Sequence, residues 1–323
     1  MTEVLHADTA GIARAAALLR QGKLVAFPTE TVYGLGADAT DDLAVASIYE
    51  AKGRPLFNPL IAHVPDFAAA ERLALIEGDA RILAEKFWPG PLTLVLPRRD
   101  LAEAGSKPSE SRALSHLIGT GLPTVAIRVP ALAITRQLLA EVGRPVAGPS
   151  ANPSGRVSPT TAAHVLSGLS GKIAAVLDAG PCTVGVESTI VGFDETGAAV
   201  LLRPGGLPVE EIEAALGQSL GSQAPRALPN APGQLSSHYA PEAPLRLNAT
   251  AAAPGETLIG FGAVKGDVSL SETGDLVEAA ARLFGMLREM DRPGVSLAVA
   301  PIPSHGLGRA IQDRLARAAA PRG

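Results

Sequence analysis

The sequence predicts an α/β fold in which helices cover a twisted, mixed β-sheet, followed by a small Rossmann-like parallel α/β domain. Short apolar runs alternate with segments whose apolar residues recur at helical spacing. Several of these runs follow one another without a helix between them, which favours a mixed sheet over a purely parallel one. A proline-rich stretch with little periodicity, residues 218–241, separates the two parts.

The first part begins with a predicted helix whose apolar residues run from Ile12 to Leu19 behind Thr9, a candidate N-cap. A buried strand at 23–27 follows it. Further helices are predicted at 42–51, 80–87, 131–141, 161–166 and 209–216. Further strands are predicted at 60–64, 92–96, 124–129, 145–148, 174–177, 188–193 and 199–202.

The second part has a strand–helix–strand–helix order, which is typical of a small parallel sheet. The strands are predicted at 257–261 and 295–300, and the helices at 276–290 and 308–319. We therefore expect a catalytic domain at 1–217, a linker or active-site lid at 218–241 and a small α/β domain at 242–323.

Composition excludes several classes of protein. With 28 basic and 32 acidic residues the formal charge is −4, so no global field attracts nucleic acid, and any RNA contact must be local. Cys182 is the one cysteine, which excludes an internal disulfide and a cysteine-rich metal site. A reducing, cytoplasmic compartment is the natural expectation. No apolar stretch approaches the length of a membrane span, so we expect no membrane association.

The segment 27–36 is the densest polar signal, because a buried strand leads there into hydroxyls, a carboxylate and two glycines. A loop of this kind brings backbone N–H groups close to a ligand. The match to a dinucleotide fingerprint is weak, since Pro59 and Leu60 stand where its acidic residue should be. A purely structural tight turn is the alternative.

A second polar segment, residues 51–60, places Lys52, Arg54 and Asn58 before an apolar strand that ends at His63. Arginine suits bidentate recognition of phosphate, and lysine adds a compact charge, so the pair could hold a triphosphate. A solvated basic turn is the alternative. No phosphate-binding loop of the G-x-x-x-x-G-K-[ST] type is present.

A third segment, Gly148–Asn152, resembles an interrupted nucleophile elbow. A serine hydrolase would also need an acid and a histidine at later strand ends, and the later histidines have no obvious acidic partner. Ser150 and Asn152 are better interpreted as hydrogen-bonding groups for a polar ligand.

Six ordered segments together resemble the YrdC-like family: PTETVYGLG at 28–36, KGRPLFNPL at 52–60, TVAIRVP at 124–130, SAN at 150–152, ESTIV at 187–191 and LRPG at 202–205. The linker and second domain resemble the long, two-domain form of this family, including the tail segment GLGRAIQDRLARA at 306–318. The resemblance therefore covers both parts of the chain.

The resemblance implies a reaction in which L-threonine, bicarbonate and ATP give threonylcarbamoyl-AMP and pyrophosphate. Mg²⁺ would be carried on the ATP phosphates and not in a protein metal site. A downstream tRNA threonylcarbamoyl transferase complex would then pass the group to adenosine in tRNA. The chain would accordingly be a nucleotidyltransferase.

The matching motif positions imply two sets of binding residues. Threonine would contact Thr31, His63, Arg128, Ser150 and Ser188. ATP would contact Arg54, Asn58, Thr124, Asn152, Thr160, Arg203 and Tyr239. Lys52 and Arg54 would act on the phosphate chain as catalytic residues. Tyr239 belongs to segment 231–241, which resembles a stretch that folds over the active site, with a plain tether as the alternative.

Two other functions remain open from the sequence. A double-stranded RNA-binding or ribosome-associated module could use the same basic cleft to grip a phosphate backbone. A carbamoyl transferase of the hydrogenase-maturation kind contains a related domain, but it would need zinc-finger cysteines that a chain with one cysteine does not offer.

Overall fold

The computed structural model describes residues 1–99, 113–222 and 238–321. Its strands are β1 (Glu3–His6), β2 (Val25–Phe27), β3 (Gly34–Asp38), β4 (Ile61–His63), β5 (Leu92–Pro97), β6 (Thr124–Arg128), β7 (Val146–Ala147), β8 (Ala175–Asp178), β9 (Thr189–Phe193), β10 (Ala199–Arg203), β11 (Gly221–Ser222), β12 (Leu245–Arg246), β13 (Glu256–Gly260), β14 (Val268–Ser269) and β15 (Ser296–Val299). Its helices are α1 (Thr9–Arg20), α2 (Asp42–Lys52), α3 (Phe67–Glu71), α4 (Gly78–Phe87), α5 (His116–Gly119), α6 (Ala133–Val142), α7 (Ala162–Leu169), α8 (Val209–Leu216), α9 (Leu276–Met290) and α10 (Gly308–Ala319).

The strands form two sheets. The larger has the order β1-β8-β2-β3-β7-β4-β6-β5-β9-β10-β11 and mixes parallel pairs, such as β4 with β6, and antiparallel pairs, such as β2 with β3. The smaller has the order β12-β15-β13-β14, and its pairs are all parallel. The predicted fold class, a mixed-sheet domain followed by a small parallel one, is confirmed.

Helix ends near the polar segments follow from their capping residues. Helix α1 is capped by Asp8, whose carboxylate accepts a hydrogen bond from the Gly11 N–H, and not by Thr9 as expected. Helix α2 ends at Lys52 and is capped by Gly53, whose left-handed φ of 59° turns the chain. Lys52 is therefore the last helical residue, and Arg54 lies just beyond the helix.

The predicted glycine loop is only partly a loop. Residues 28–33 connect two strands, but Gly34 and Gly36 lie in β3, which pairs antiparallel with β2. A Cβ on Gly34 would lie 2.9 Å from the Phe27 ring, and one on Gly36 would lie 3.0 Å from it. These glycines let the Phe27 ring cover β3, so their role at this place is close packing inside the sheet.

The C-terminal part packs directly on the larger sheet domain. Val32, Val157 and Val186 share one apolar cluster with buried residues of α9 and α10. A Cβ on Gly185 would lie 2.3 Å from the Ala280 carbonyl oxygen of α9, so the backbones touch there. The boundaries 1–217, 218–241 and 242–323 stay a prediction, and residues 223–237 of the linker lie outside the described residues.

Candidate active site

A polar cavity opens at one edge of the larger sheet. Strands β4 and β6 are parallel neighbours with His63 opposite Arg128, so both side chains leave the sheet at the same carboxyl edge. Eight of the thirteen predicted site residues line this cavity: Thr31, Arg54, His63, Arg128, Ser150, Ser188, Arg203 and Tyr239. The structure thus brings together side chains from segments far apart in the chain, while their individual roles stay a prediction.

Arg128 is fixed by neighbours on three sides. Its Nη1 donates to the Thr31 hydroxyl at 2.8 Å, and its Nη2 donates to Glu30 Oε1 at 2.6 Å. Its Nε donates to the Gly90 carbonyl oxygen at 3.3 Å. The Glu30 carboxylate also accepts from the Ala131 N–H at 3.1 Å. Three of the five guanidinium N–H groups are thereby used, and the fork is held rigidly in the cavity wall.

His63 lies beside Arg128 as a neutral imidazole. Burial, with a smaller contribution from the Arg128 charge, lowers the pKa of His63 to about 3. Its Nδ1 is buried and has no hydrogen-bond partner among the described residues. Gly148 passes so close that a Cβ there would lie 2.8 Å from this nitrogen. The unsatisfied nitrogen is therefore a hydrogen-bonding position available to a small ligand.

Arg54 and Arg203 are two further cations that line the cavity. Arg54 donates to the carbonyl oxygens of Asn58 at 3.2 Å and Pro59 at 2.8 Å. Arg203 donates through Nε and Nη2 to the Ser188 carbonyl oxygen at 3.2 and 2.8 Å. Burial lowers the pKa of Arg54 to about 10, which leaves it charged at neutral pH. Both guanidinium groups can therefore face an anion.

Lys52 does not line the cavity, and its ammonium is directed at the backbone of the SAN segment. The Nζ donates to the Ser150 carbonyl oxygen at 2.5 Å and also to the Asn152 carbonyl oxygen. Burial, and then the charge of Arg54, holds the pKa of Lys52 well below its usual value. In this arrangement Lys52 positions Ser150 within the cavity wall.

Four other predicted ATP contacts are not among the residues that line the cavity. The Asn58 amide is fully buried, and neither its nitrogen nor its oxygen has a partner among the described residues. Asn152 donates to the carbonyl oxygens of Pro153 and Arg156, and Thr160 pairs with the His164 ring nitrogen at 3.3 Å. Thr124 begins β6, at the end of that strand remote from Arg128. Their contact with ATP stays a prediction.

The structure adds two buried carboxylates that were not singled out as site residues. Glu30 binds Arg128, and Glu187 accepts hydrogen bonds from the Ser158 hydroxyl and from Arg314 Nε, the latter at 2.7 Å. Both acids stand inside segments that carry the family resemblance, which is the signal that could have found them. In the sequence alone, the role of a single acidic residue next to hydroxyl side chains cannot be assigned without knowing its cationic partner.

Residues 238 and 239 cover the cavity from the linker side. The Tyr239 ring stacks on Phe284 of α9 with centroids 5.7 Å apart, and the Arg314 guanidinium lies 5.0 Å from its centroid. The Tyr239 backbone is left-handed, with φ of 60°. The rest of the predicted lid, residues 231–237, lies outside the described residues.

Within residues 1–99, 113–222 and 238–321, no group of three or more histidine, cysteine, aspartate or glutamate side chains is placed to hold a metal ion. In the same ranges no helix has both the length and the apolar character needed to cross a bilayer.

Comparison with known protein families identifies the class of protein that has this sequence and fold. The Sua5/YciO/YrdC model, described as "Telomere recombination", matches residues 17–205, and the model "Threonylcarbamoyl-AMP synthase, C-terminal domain" matches residues 207–320. The chain belongs to the Sua5/YciO/YrdC family, and the resemblance noted in the sequence is confirmed over both parts.

The chain is similar over nearly its whole length to proteins named threonylcarbamoyl-AMP synthase. The chain is 44% identical to threonylcarbamoyl-AMP synthase of Pyrococcus abyssi over 94% of its own length and 92% of that protein's. It is 41% identical to the Bacillus subtilis protein of that name, covering 99% and 96% of the two chains. A crystal structure of P. abyssi Sua5 complexed with L-threonine superposes with a TM-score of 0.87 at 39% identity, over 99% of this chain and 97% of that one.

Proposed function

We propose that this chain is a threonylcarbamoyl-AMP synthase, which converts L-threonine, bicarbonate and ATP to threonylcarbamoyl-AMP and pyrophosphate. The observation that carries the proposal is that one cavity is lined by the Arg128 fork beside Thr31 and also by Arg54 and Arg203. A carboxylated amino acid and a nucleotide need these two kinds of group next to each other. Relatives at 44% and 41% identity bear this name.

The reaction needs positioning more than it needs an enzyme nucleophile. The threonine amine attacks the carbon of bicarbonate, or of CO₂ derived from it, and forms a carbamate; from bicarbonate this step releases water. A carbamate oxygen then attacks the α-phosphorus of ATP, and the bond to pyrophosphate breaks. Holding both reactants in line can supply about 7–11 kcal/mol of the barrier reduction. No covalent intermediate with a side chain is required.

The amino acid would be seated by Arg128, His63 and the hydroxyl groups near them. Two guanidinium N–H groups of Arg128 remain beyond those donated to Thr31, Glu30 and Gly90, and a carboxylate can accept both. The neutral His63 avoids a second positive charge beside the amine that must react. The Ser150 and Ser188 hydroxyls line the same cavity.

The phosphates would be held by Arg54 and Arg203, which stabilise negative charge as pyrophosphate departs. Mg²⁺ enters this proposal as a companion of the ATP phosphates, where a divalent cation neutralises charge in phosphoryl transfer. Because the reaction transfers the AMP part of ATP to the carbamate, the proposed enzyme is a nucleotidyltransferase. Its product would be passed by a tRNA threonylcarbamoyl transferase complex to adenosine in tRNA.

The double-stranded RNA-binding alternative is not favoured by the geometry. Arg54, Arg128 and Arg203 are 8%, 3% and 4% exposed, so a double helix would not reach them. An RNA-binding surface needs cations that neutralise phosphates at the protein surface. Local RNA contact and a cytoplasmic location stay predictions; the buried, free thiol of Cys182 agrees with a reducing compartment.

The proposal is tested by pyrophosphate release. The purified chain is mixed with ATP, Mg²⁺ and bicarbonate, with L-threonine present, omitted or replaced by D-threonine. We expect release that depends on both bicarbonate and L-threonine. Release that continues at the same rate without threonine, or no release under any condition, would contradict the proposed function.

A further inference from the structure

Arg314 is the largest fully buried side chain of the described residues, and it extends from the C-terminal part into the cavity wall. It lies on α10, is 0% exposed, and its Nε donates to Glu187 Oε2 at 2.7 Å. The other carboxylate oxygen of Glu187 accepts a hydrogen bond from the Ser158 hydroxyl. A single side chain of the second domain therefore neutralises an acid that lines the cavity of the first.

Glu187 directly precedes Ser188, a residue that binds Arg203. The backbone carbonyl and the hydroxyl of Ser188 both accept from Arg203, at 2.8 and 3.3 Å from Nη2. Burial acts to raise the pKa of the Glu187 carboxyl, but the charges of Arg314 and Arg203, together with the hydrogen bonds from Ser158 and Arg314, outweigh burial, and the pKa lies below its usual value. An anionic Glu187 is thus within the electrostatic influence of two arginines.

The same guanidinium supports the aromatic wall. The Arg314 Cζ lies 5.0 Å from the centroid of the Tyr239 ring, a distance typical of a cation–π contact. Asp313 accepts from Arg314 Nη1 at 2.5 Å. The Nη2 of Arg314 is buried without a hydrogen-bond partner among the described residues. Such an atom is expected where ligand binding or a small movement completes the hydrogen-bond network.

We propose that Arg314 is a positioning residue for the nucleotide end of the active site. It contacts Tyr239 and neutralises Glu187, so that Arg203 keeps its hydrogen bonds to Ser188 and faces the phosphates of ATP. A buried carboxylate that loses its cation must find another or become protonated. Arg203 is the neighbouring guanidinium, and its turning toward Glu187 would remove it from ATP. This role presupposes the ATP-dependent activity proposed above and gives the C-terminal domain a part in it.

The test is a double-mutant cycle on the full-length chain, with KM for ATP and for threonine measured by pyrophosphate release. Arg314→Gln should raise KM for ATP about tenfold and KM for threonine less than about twofold. Glu187→Gln combined with Arg314→Gln should return KM for ATP to within about threefold of wild type, because no buried anion then competes for Arg203. Arg314→Lys, which keeps the charge, should stay within about threefold.

Arg309→Gln is the matched control. Arg309 lies on the same helix and also joins the two domains, through an ion pair with Glu210 at 3.3 Å, but both side chains are exposed at the surface. Its loss should leave both KM values unchanged. Thermal melts of all variants separate lost folding from lost positioning.

Several outcomes would overturn the proposal. An unchanged KM for ATP in Arg314→Gln would do so. So would a double variant no better than that single variant, since removing the unpaired Glu187 charge would then not restore ATP binding. If Arg314→Gln does not fold, a tenfold loss of ATP use in folded Arg314→Lys contradicts the charge argument, and wild-type behaviour supports it.

Binding of a non-hydrolysable ATP analogue, measured by calorimetry on the same variants, separates this inference from the proposed function. If the wild type binds the analogue but shows no threonine-dependent release, the proposed function fails. Positioning by Arg314 is then still judged by whether Arg314→Gln weakens analogue binding about tenfold and the double variant restores it.

Discussion

At the end of the cavity assigned to threonine, two of the three hydrogen bonds that Arg128 donates go to side chains, those of Thr31 and Glu30. At the end assigned to ATP, Arg54 and Arg203 donate mainly to backbone carbonyl oxygens. The first end is built within one domain. The second is lined by Tyr239 of the predicted linker, whose ring contacts Arg314 of α10. A site of this kind is preorganised for the amino acid, while its nucleotide end depends on the contact between the two domains.

The largest effect should come from the nucleotide end. Arg54→Ala removes a buried cation that faces the cavity, and we expect kcat/KM for ATP to fall about a hundredfold, as for the loss of one or two charge-assisted hydrogen bonds. Threonine binding, measured by calorimetry without ATP, should change little. Equal losses for both substrates would remove the distinction between the two ends.

Arg98→Ala is a suitable control for this variant. Arg98 also donates to a backbone carbonyl oxygen, that of Leu114 at 2.9 Å, but it does not line the cavity. Its replacement should leave the kinetics for ATP unchanged. A hundredfold loss there as well would show that Arg54 acts through folding.

A smaller effect is expected at the threonine end. Arg128→Gln leaves Glu30 buried without its cation, so the informative variant is Arg128→Gln together with Glu30→Gln. We expect its KM for threonine to rise about tenfold, with analogue binding at the nucleotide end within about threefold of wild type. A kinetic assay in which threonine is varied at saturating ATP measures this.

The control for that pair is Arg144→Gln. Arg144 and Asp38 also form an ion pair, at 2.6 Å, but away from the cavity. This variant should lose stability and keep its KM for threonine. A rise in KM equal to that of the Arg128 variant would contradict a direct role for Arg128.

The smallest effect concerns His63 and stability. Its folded pKa of about 3 lies below the ordinary 6.5, so the unfolded chain takes up a proton near pH 6 and the folded chain does not. Stability from this residue is therefore lost as pH falls. Between pH 6.5 and 5.5 the unfolding free energy of wild type should fall by about 1 kcal/mol relative to His63→Asn, measured by denaturant titration. A difference that stays constant with pH would contradict the neutral imidazole.

Much of the fold could be predicted from periodicity. The bounds expected for α8, α9 and α10 agree with the structure, because each has a clear apolar face and a defined end. Strand β3 was missed because its two glycines indicate a turn locally, and only the distant Phe27 ring explains them. The two-residue strands β11, β12 and β14 are too short to show any period.

The sequence predicted many of the residues that line the cavity but not the contacts between them. Motif positions pointed to Thr31, Arg54 and Arg128, and all three line the cavity. Nothing local indicated that Lys52 would bind the backbone of Ser150, since that partner lies 98 positions away. The pair of Glu187 and Arg314 spans 127 positions and two domains, so it required the folded structure.

A structure of the chain with L-threonine and a non-hydrolysable ATP analogue bound together would test most directly whether one cavity serves both substrates. We expect the threonine carboxylate against Arg128 and the phosphates against Arg54 and Arg203, with the amine directed toward the α-phosphate. Ligands in separate cavities, or phosphates remote from both arginines, would contradict the account.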